Sequence, residues 1–290
     1  MDFNLSFEFF PPHTEKGLTS LQATTKTIVA ESPNLPDYFS VTFGAAGSST
    51  QDKTLTTCLA LQDSVTTPLC PHLSCVGTTK AKLTILLNKY KSLGITSLLA
   101  LRGDLPLGVK SLGDFQHANE LVTWIKKEYG DTFHISVACY PEIHPQSPNA
   151  KVDFDHFKRK VDSGADAAIT QYFFNLDSYQ YFKDLCAQAN ITIPIIPGIM
   201  PITQYEQLSR FSATCGAEIP RWLRKQLEVI SGDRSAVEKF GTEILTQLCQ
   251  GLKNNDAPGL HFYTLNKAGP CLAICKELGL EAKQKPKVRM

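Results

Sequence analysis

Glu8 is the residue whose type and setting most invite chemistry. It stands as a lone carboxylate in Phe7-Glu8-Phe9-Phe10-Pro11-Pro12. Removal from water disfavours the charged form of a carboxylate, and this predicts a raised pKa suited to a general acid near neutral pH. A Glu paired with a buried Lys or Arg fits the same surroundings. Leu101-Arg102-Gly103-Asp104 sets a cation, a flexible residue and a carboxylate after an uncharged run. That is the pattern of a ligand-contacting turn, with glycine allowing close backbone approach; an exposed Arg and a helix-capping Asp is the plainer reading. His72 in Pro71-His72-Leu73-Ser74-Cys75 is a lone imidazole. Cys139-Tyr140-Pro141-Glu142-Ile143-His144-Pro145 mixes an aromatic, an acid and a histidine between prolines. Gln171, beside Tyr172, offers a donor and an acceptor to a heteroaromatic edge, or to backbone. Lys158-Arg159-Lys160, close to Asp153, is either a phosphate cradle or a solvated helix face. Thr42 precedes the small-residue run Gly44 to Ser49, which suits close approach to a flat or phosphate-bearing ligand, or the cap of the next helix.

These residues need a scaffold, and the composition says which kinds are excluded. The chain has 290 residues, 42% hydrophobic and 20% charged, enough to bury a sizeable core and too apolar for disorder. Lys plus Arg is 29 against 28 for Asp plus Glu, so no one-signed field exists for nucleic acid or an anionic membrane. The basic tail Lys283, Lys285, Lys287, Arg289 reads as a solvated end. The longest uncharged stretch, from Leu185 to Tyr205, is broken by Pro194, Pro197 and Pro201 and cannot span a membrane. No targeting segment is visible. The nine cysteines are odd in number and lack zinc spacing, which predicts reduced, mostly buried thiols in a cytoplasmic protein and no metal.

Short β-rich runs alternate with amphipathic helical runs along the whole chain. The predicted strands are Leu5–Phe10, Tyr38–Phe43, Leu69–Cys75, Ser97–Arg102, His134–Tyr140, Ala167–Phe174, Ile193–Ile199 and Leu260–Leu265. Helical patterns fill the intervals, and Pro270 to Leu278 closes the series, with Pro270 suited to a first helical position. Strand alternating with helix means parallel strands and crossovers. Eight such units predict a closed (β/α)8 TIM barrel, with extra helix before the last strand and one domain over residues 1–290. An open doubly wound sheet is the alternative, but no G-x-G-x-x-G or P-loop is present. A barrel carries its chemistry at the C-terminal ends of its strands, where the residues named above fall.

The sequence resembles the methylenetetrahydrofolate reductase family. Eight blocks carry the likeness in order: Phe7 to Pro12, Ser40 to Ala45, Pro71 to Cys75, Leu101 to Asp104, Ser136 to Glu142, Ile169 to Phe174, Ile195 to Ile199, and His261-Phe262-Tyr263-Thr264-Leu265-Asn266. The resemblance implies an FAD flavoprotein of one-carbon metabolism and methionine biosynthesis. It would take a hydride from NADH or NADPH and pass it to 5,10-methylenetetrahydrofolate by ping-pong exchange, giving 5-methyltetrahydrofolate. By the same resemblance Glu8 is the general acid that opens the folate imidazolidine ring. Asp104 contacts the pterin and modulates the flavin. Gln171 contacts the pterin, Phe211 stacks on substrate, and Tyr263 and Lys267 border the substrate. The FAD residues implied are Thr42, His72, Arg102, Gly103, Asp104, His117, Ala138, Tyr140, His144, Asp153, His156, Arg159 and Lys160. His117 stands where a Tyr is familiar, His156 where an Asn is, and Lys267 where an Arg is common. A homo-oligomer is implied as well. From the short length after the eighth unit, the expectation is a chain without the regulatory region of animal-type relatives.

Other readings keep the cofactor and change the rest. One is an FAD barrel of the proline dehydrogenase kind with a different substrate. Another is a flavin-binding subunit that needs a separate electron-donating partner protein. A purely structural barrel is the remotest.

Overall fold

A computed structural model describes residues 3–31, 36–43, 50–104 and 113–280. The run Gly44 to Ser49 and the basic tail lie outside the described residues. The strands are β1 (Asn4–Phe9), β2 (Tyr38–Val41), β3 (Leu69–Ser74), β4 (Ser97–Leu101), β5 (His134–Cys139), β6 (Ala167–Thr170), β7 (Ile195–Ile196), β8 (Gly198–Ile199) and β9 (Gly259–Tyr263). The helices are α1 (Glu15–Glu31), α2 (Thr50–Gln62), α3 (Lys80–Ser92), α4 (Ala118–Tyr129), α5 (Ala150–Asp162), α6 (Leu176–Gln188), α7 (Tyr205–Cys215), α8 (Arg221–Ile230), α9 (Arg234–Asn254) and α10 (Gly269–Glu277). All strand pairs are parallel, in the order β7-β6-β5-β4-β3-β2-β1-β9-β8. This is a TIM-barrel-like α/β fold, and α7, α8 and α9 supply the extra helix before the last strand.

The expected seventh strand is present as two short pieces, β7 and β8, with Pro197 between them. Proline has no N–H to give a ladder, so the strand breaks there. The first piece pairs with β6 and the second with β9, so one short segment bridges the two ends of the sheet. The Pro197 carbonyl still accepts from the His261 N–H at 2.9 Å. Several helix starts follow from their sequences. The side chains of Asn149, Asn175 and Asp233 cap α5, α6 and α9 by accepting backbone N–H groups.

Two apolar layers hold the molecule. Strand residues such as Leu5, Phe7, Phe9, Phe39, Val41 and Leu73 are buried against the helices. Each such side chain contributes roughly 1.5–3 kcal/mol relative to exposure. Alternation sends their neighbours into the barrel. There Cys70, Leu99, Ile169 and Ile196 form a second, smaller cluster. The other half of the barrel interior is polar: Ser6 and Glu8 on β1, Tyr38 and Ser40 on β2, His72 on β3, His261 and Tyr263 on β9. The burial of Ser6, Ser40, His72 and His261 is nearly complete.

Candidate active site

The polar half of the barrel interior centres on Glu8. Parallel register sets Ser6 opposite His261 and Glu8 opposite Tyr263 and Ser40. The Glu8 Oε2 atom lies 3.2 Å from His72 Nε2 and 3.3 Å from His261 Nε2. The His72 contact is off the line of a hydrogen bond, while the His261 contact satisfies one. On the other side of the ring, His261 Nδ1 is 2.7 Å from Ser6 Oγ. Backbone contacts fix the Glu8 end of β1. The Glu8 carbonyl accepts from Thr264 Oγ1 at 2.6 Å and from the Thr264 N–H at 3.2 Å. Leu265 and Asn266 then both turn left-handed, with φ of 50° and 58°.

The pKa of Glu8 departs from the sequence expectation. Burial pushes it up, as expected for a lone carboxylate, but His72 and His261 outweigh burial and bring it down to about 2. The partner is neither Lys nor Arg but a pair of imidazoles delivered by distant strands. Glu8 is therefore an ionised carboxylate shared by two histidines.

A second feature is a cavity of about 380 Å3 at the C-terminal ends of β4 and β5 and along α5. The structure brings together there Arg102, Gly103, Asp104, His117, Ala138, Tyr140, His144, Asp153, His156, Arg159 and Lys160. Thr42 and His72 are not among its lining residues. Thr42 lies just past β2 and accepts from Thr54 Oγ1 through its carbonyl at 2.9 Å. His72 sits in the barrel against Glu8.

The donor chemistry of this cavity fits a diphosphate. Arg102, Arg159 and Lys160 are cationic, while Asp104 and Asp153 are the carboxylates. Asp153 is spent on the chain itself, accepting from the His144 N–H at 3.1 Å and from Ser147 Oγ at 2.8 Å. Arg159 has no carboxylate partner among the described residues. The Lys160 ammonium donates to the Ala138 carbonyl, and burial lowers its pKa despite nearby Cys139 and Asp153. Arg102 donates to Gln146 Oε1 at 2.5 Å. His144 Nδ1 accepts the Gln146 N–H at 3.0 Å, which leaves Nε2–H as the donor of the neutral ring. Burial, with Arg102 and Lys160 nearby, lowers the His144 pKa against the pull of Asp153. Burial raises that of Tyr140 to about 12, so its hydroxyl keeps its proton. Phe157, Phe182 and Ala118 supply apolar wall. Gly103 has φ +81°, and a Cβ there would meet Ser74 Cβ at 2.8 Å, so only glycine lets β4 end this close to β3.

The remaining expected residues are spread out. Gln171 Oε1 accepts the Tyr172 N–H at 3.0 Å, leaving its amide N–H groups to donate. Phe211 is exposed on α7. The Tyr263 hydroxyl donates to the Thr170 carbonyl at 2.7 Å, so its oxygen is already engaged and its ring packs edge-on to His261 and Tyr172. Lys267 is exposed and lines a separate groove between α9 and α10. Among the described residues no His/Cys/Asp/Glu group is arranged to hold a metal, and no helix is long and apolar enough to cross a membrane.

The methylenetetrahydrofolate reductase family model matches residues 1–279. The chain belongs to this family. It is 38% identical over 277 residues to the 5,10-methylenetetrahydrofolate reductase of Escherichia coli K12, covering 96% of this chain and 91% of that one. The Buchnera aphidicola (Schizaphis graminum) reductase is 40% identical over 275 residues, with 95% and 91% covered. A rice relative, a probable methylenetetrahydrofolate reductase (NADH), is 40% identical, and the match spans 95% of this chain but 48% of that protein. As a methylenetetrahydrofolate reductase relative the protein is an oxidoreductase with a folate as its substrate class. The fold also matches an uncharacterized protein from Clostridium thermocellum at TM-score 0.62 and 14% identity, covering 96% of this chain and 95% of that one.

Ser6, Tyr38 and His261 were not among the residues singled out from the sequence. A signal was there: in alternating strands, Ser6 must share a face with Glu8, and His261 with Tyr263.

Proposed function

We propose that the protein reduces 5,10-methylenetetrahydrofolate to 5-methyltetrahydrofolate with NADH or NADPH, by alternating half-reactions on an FAD held in the cation-lined cavity. The observation that carries this reading is that the cavity collects nearly all the FAD residues implied by the sequence, at the same barrel end as Glu8. FAD, when bound, supplies the hydride chemistry between the two substrates. Arg102, Arg159 and Lys160 would hold its diphosphate. The Tyr140 hydroxyl and His144 Nε2–H are further donors facing the same space. Asp104, exposed at the mouth, disfavours added negative charge nearby and favours a cationic folate iminium.

Glu8, through its histidine cluster, would deliver the proton that opens the folate imidazolidine ring. The free amide N–H of Gln171 suits the pterin edge, and the exposed ring of Phe211 suits stacking. Tyr263 walls the Glu8 side. The Clostridium thermocellum protein of similar fold binds two copies of 5-methyl-5,6,7,8-tetrahydrofolic acid, and two plant relatives carry NADH in their names. Both facts agree with this reading.

The test is an anaerobic visible spectrum of the purified, flavin-loaded protein. Addition of NADH or NADPH should bleach the flavin band, and methylenetetrahydrofolate should restore it. A band that bleaches but does not return rejects the folate step. A band that neither nicotinamide bleaches replaces this reading with a flavin subunit served by a separate electron-donating protein.

A further inference from the structure

We propose that His261, held by Ser6, stores the proton that Glu8 delivers, so that the Glu8–His261 pair and not Glu8 alone is the acid of the folate step. The inference rests on the folate reading above and assigns a positioning role to two residues that never touch substrate.

The geometry is one of supply and delivery. His261 is fully buried, with 0% of its surface exposed, so no solvent molecule can exchange with it from the ring face directly. One ring nitrogen meets Glu8 Oε2 at 3.3 Å and the other meets Ser6 Oγ at 2.7 Å. A serine hydroxyl both donates and accepts. With the imidazole charged, Ser6 accepts from Nδ1–H and Glu8 accepts from Nε2–H. With the imidazole neutral, Ser6 still satisfies Nδ1 in either tautomer. Ser6 therefore keeps Nδ1 paired in every protonation state of His261, and Nε2 stays paired with Glu8 while either of the two holds the proton, so the emptied pair is driven to take a proton back.

Every neighbour leaves that proton to the pair. The groups facing His261 are Ser6 and Glu8 from β1, Tyr38 from β2 at 6.2 Å between ring centroids and Tyr263 on β9 at 5.3 Å, while His72 and Cys70 from β3 stand on the Glu8 side. On the β8 side it meets the Pro197 carbonyl through its own backbone N–H. Burial holds Tyr38, Cys70 and Tyr263 in their neutral forms. Glu8 is thus the one acid in contact. His72 reaches the same oxygen from the other side without a hydrogen bond, so it offers no proton path.

The step balances simply. The proton leaves His261 Nε2 for the Glu8 carboxylate, and a proton passes from the Glu8 carboxyl to the folate ring nitrogen. The ring C–N bond breaks with its electron pair staying on that nitrogen, which exposes the iminium carbon. His261 is left neutral on Ser6, and Glu8 is again a carboxylate.

The experiment compares wild type with His261→Gln and Ser6→Ala, following the folate half-reaction by stopped flow from pH 5.5 to 9, about the range in which imidazoles titrate. In wild type the rate should fall at high pH as the pair loses its proton. In His261→Gln it should fall at least about a hundredfold at neutral pH, the size of a lost acid catalyst. Its alkaline limb should also move to lower pH, because the proton must then sit on Glu8 itself. Ser6→Ala, the milder change, should move the limb the same way with a smaller loss. As a readout free of turnover, 15N NMR of the imidazoles should show His261 charged at neutral pH in wild type and neutral in Glu8→Gln. Variants with unchanged pH limbs, whatever their rates, or a neutral His261 in wild type, would overturn the proposal. If wild type itself fails to reoxidise with methylenetetrahydrofolate, the folate reading has failed instead.

Discussion

The Asn266 side chain acts as one more strand partner for Phe10. Its oxygen accepts the Phe10 N–H at 3.0 Å, and its amide donates to the Phe10 carbonyl at 2.9 Å. The left-handed turn at Leu265 and Asn266 is what aims the amide back at β1. Such a turn costs a non-glycine residue roughly 1 kcal/mol or more, which the two hydrogen bonds offset. With Thr264 on the Glu8 carbonyl, the end of β1 is bound along its length, and the Glu8 carboxylate is aimed by a rigid backbone.

Glu8→Gln keeps the shape and removes the titratable oxygen. The folate half-reaction should drop by about 10²- to 10⁴-fold, the usual range for a lost general acid. Bleaching of the flavin by the nicotinamide should persist. Rapid-mixing measurement of the two half-reactions separately checks this, and equal loss of both would remove Glu8 from the acid role.

The depressed Glu8 pKa makes stability depend on acid. Its folded value is about 2 against an ordinary 4.5, so its contribution is present above the unfolded value and is lost as pH falls from about 4.5 toward 2. The amount is on the order of 3 kcal/mol for a shift of this size. Urea melts of wild type and Glu8→Gln at pH 6 and near pH 2.5 should show the gap between them narrowing in acid. A gap independent of pH would contradict the ion-pair reading.

Lys160→Met should weaken flavin binding about tenfold to a hundredfold, the range expected for one charge-assisted contact. Fluorescence quenching during FAD titration of the apoprotein measures it. Lys158 pairs with Asp162 at 2.8 Å on the same helix, so Lys158→Met should leave the affinity nearly unchanged.

Gly198→Ala tests the closing segment. An added Cβ would sit 2.3 Å from the Thr170 carbonyl and 2.6 Å from the Tyr263 ring. Both are fixed, so the barrel must shift, at a cost of roughly 1–3 kcal/mol or more. Thermal melts should show a clear drop, whereas Gly232→Ala, with open space around it, should not.

Much of the fold was legible because its periods are local. β-rich runs marked each strand and amphipathic runs each helix, while the caps Asn149, Asn175 and Asp233 set helix starts a turn or less earlier than the apolar pattern alone shows. The split at Pro197 was less so, because a proline says that a ladder breaks but not which neighbour each half joins. The cavity cluster was legible as a family pattern, while Lys158-Arg159-Lys160 alone did not say which cation turns inward. Glu8 was found, but its partners were not. His72 and His261 come from β3 and β9, and pairing across 253 residues leaves no local trace. What a sequence does show is the alternation that puts Ser6 under Glu8.

The joint at Pro197 bears on more than topology. Two residues on either side of it zip the ring shut, against the five rungs that β1 shares with β9. If the ring breathes, it parts there first, and the strand next to the gap is β9. His261 is stitched to the joint through its own backbone N–H and to Glu8 through its ring. A momentary gape at this seam would let water reach an otherwise dry imidazole, and so give the stored proton its door to the outside.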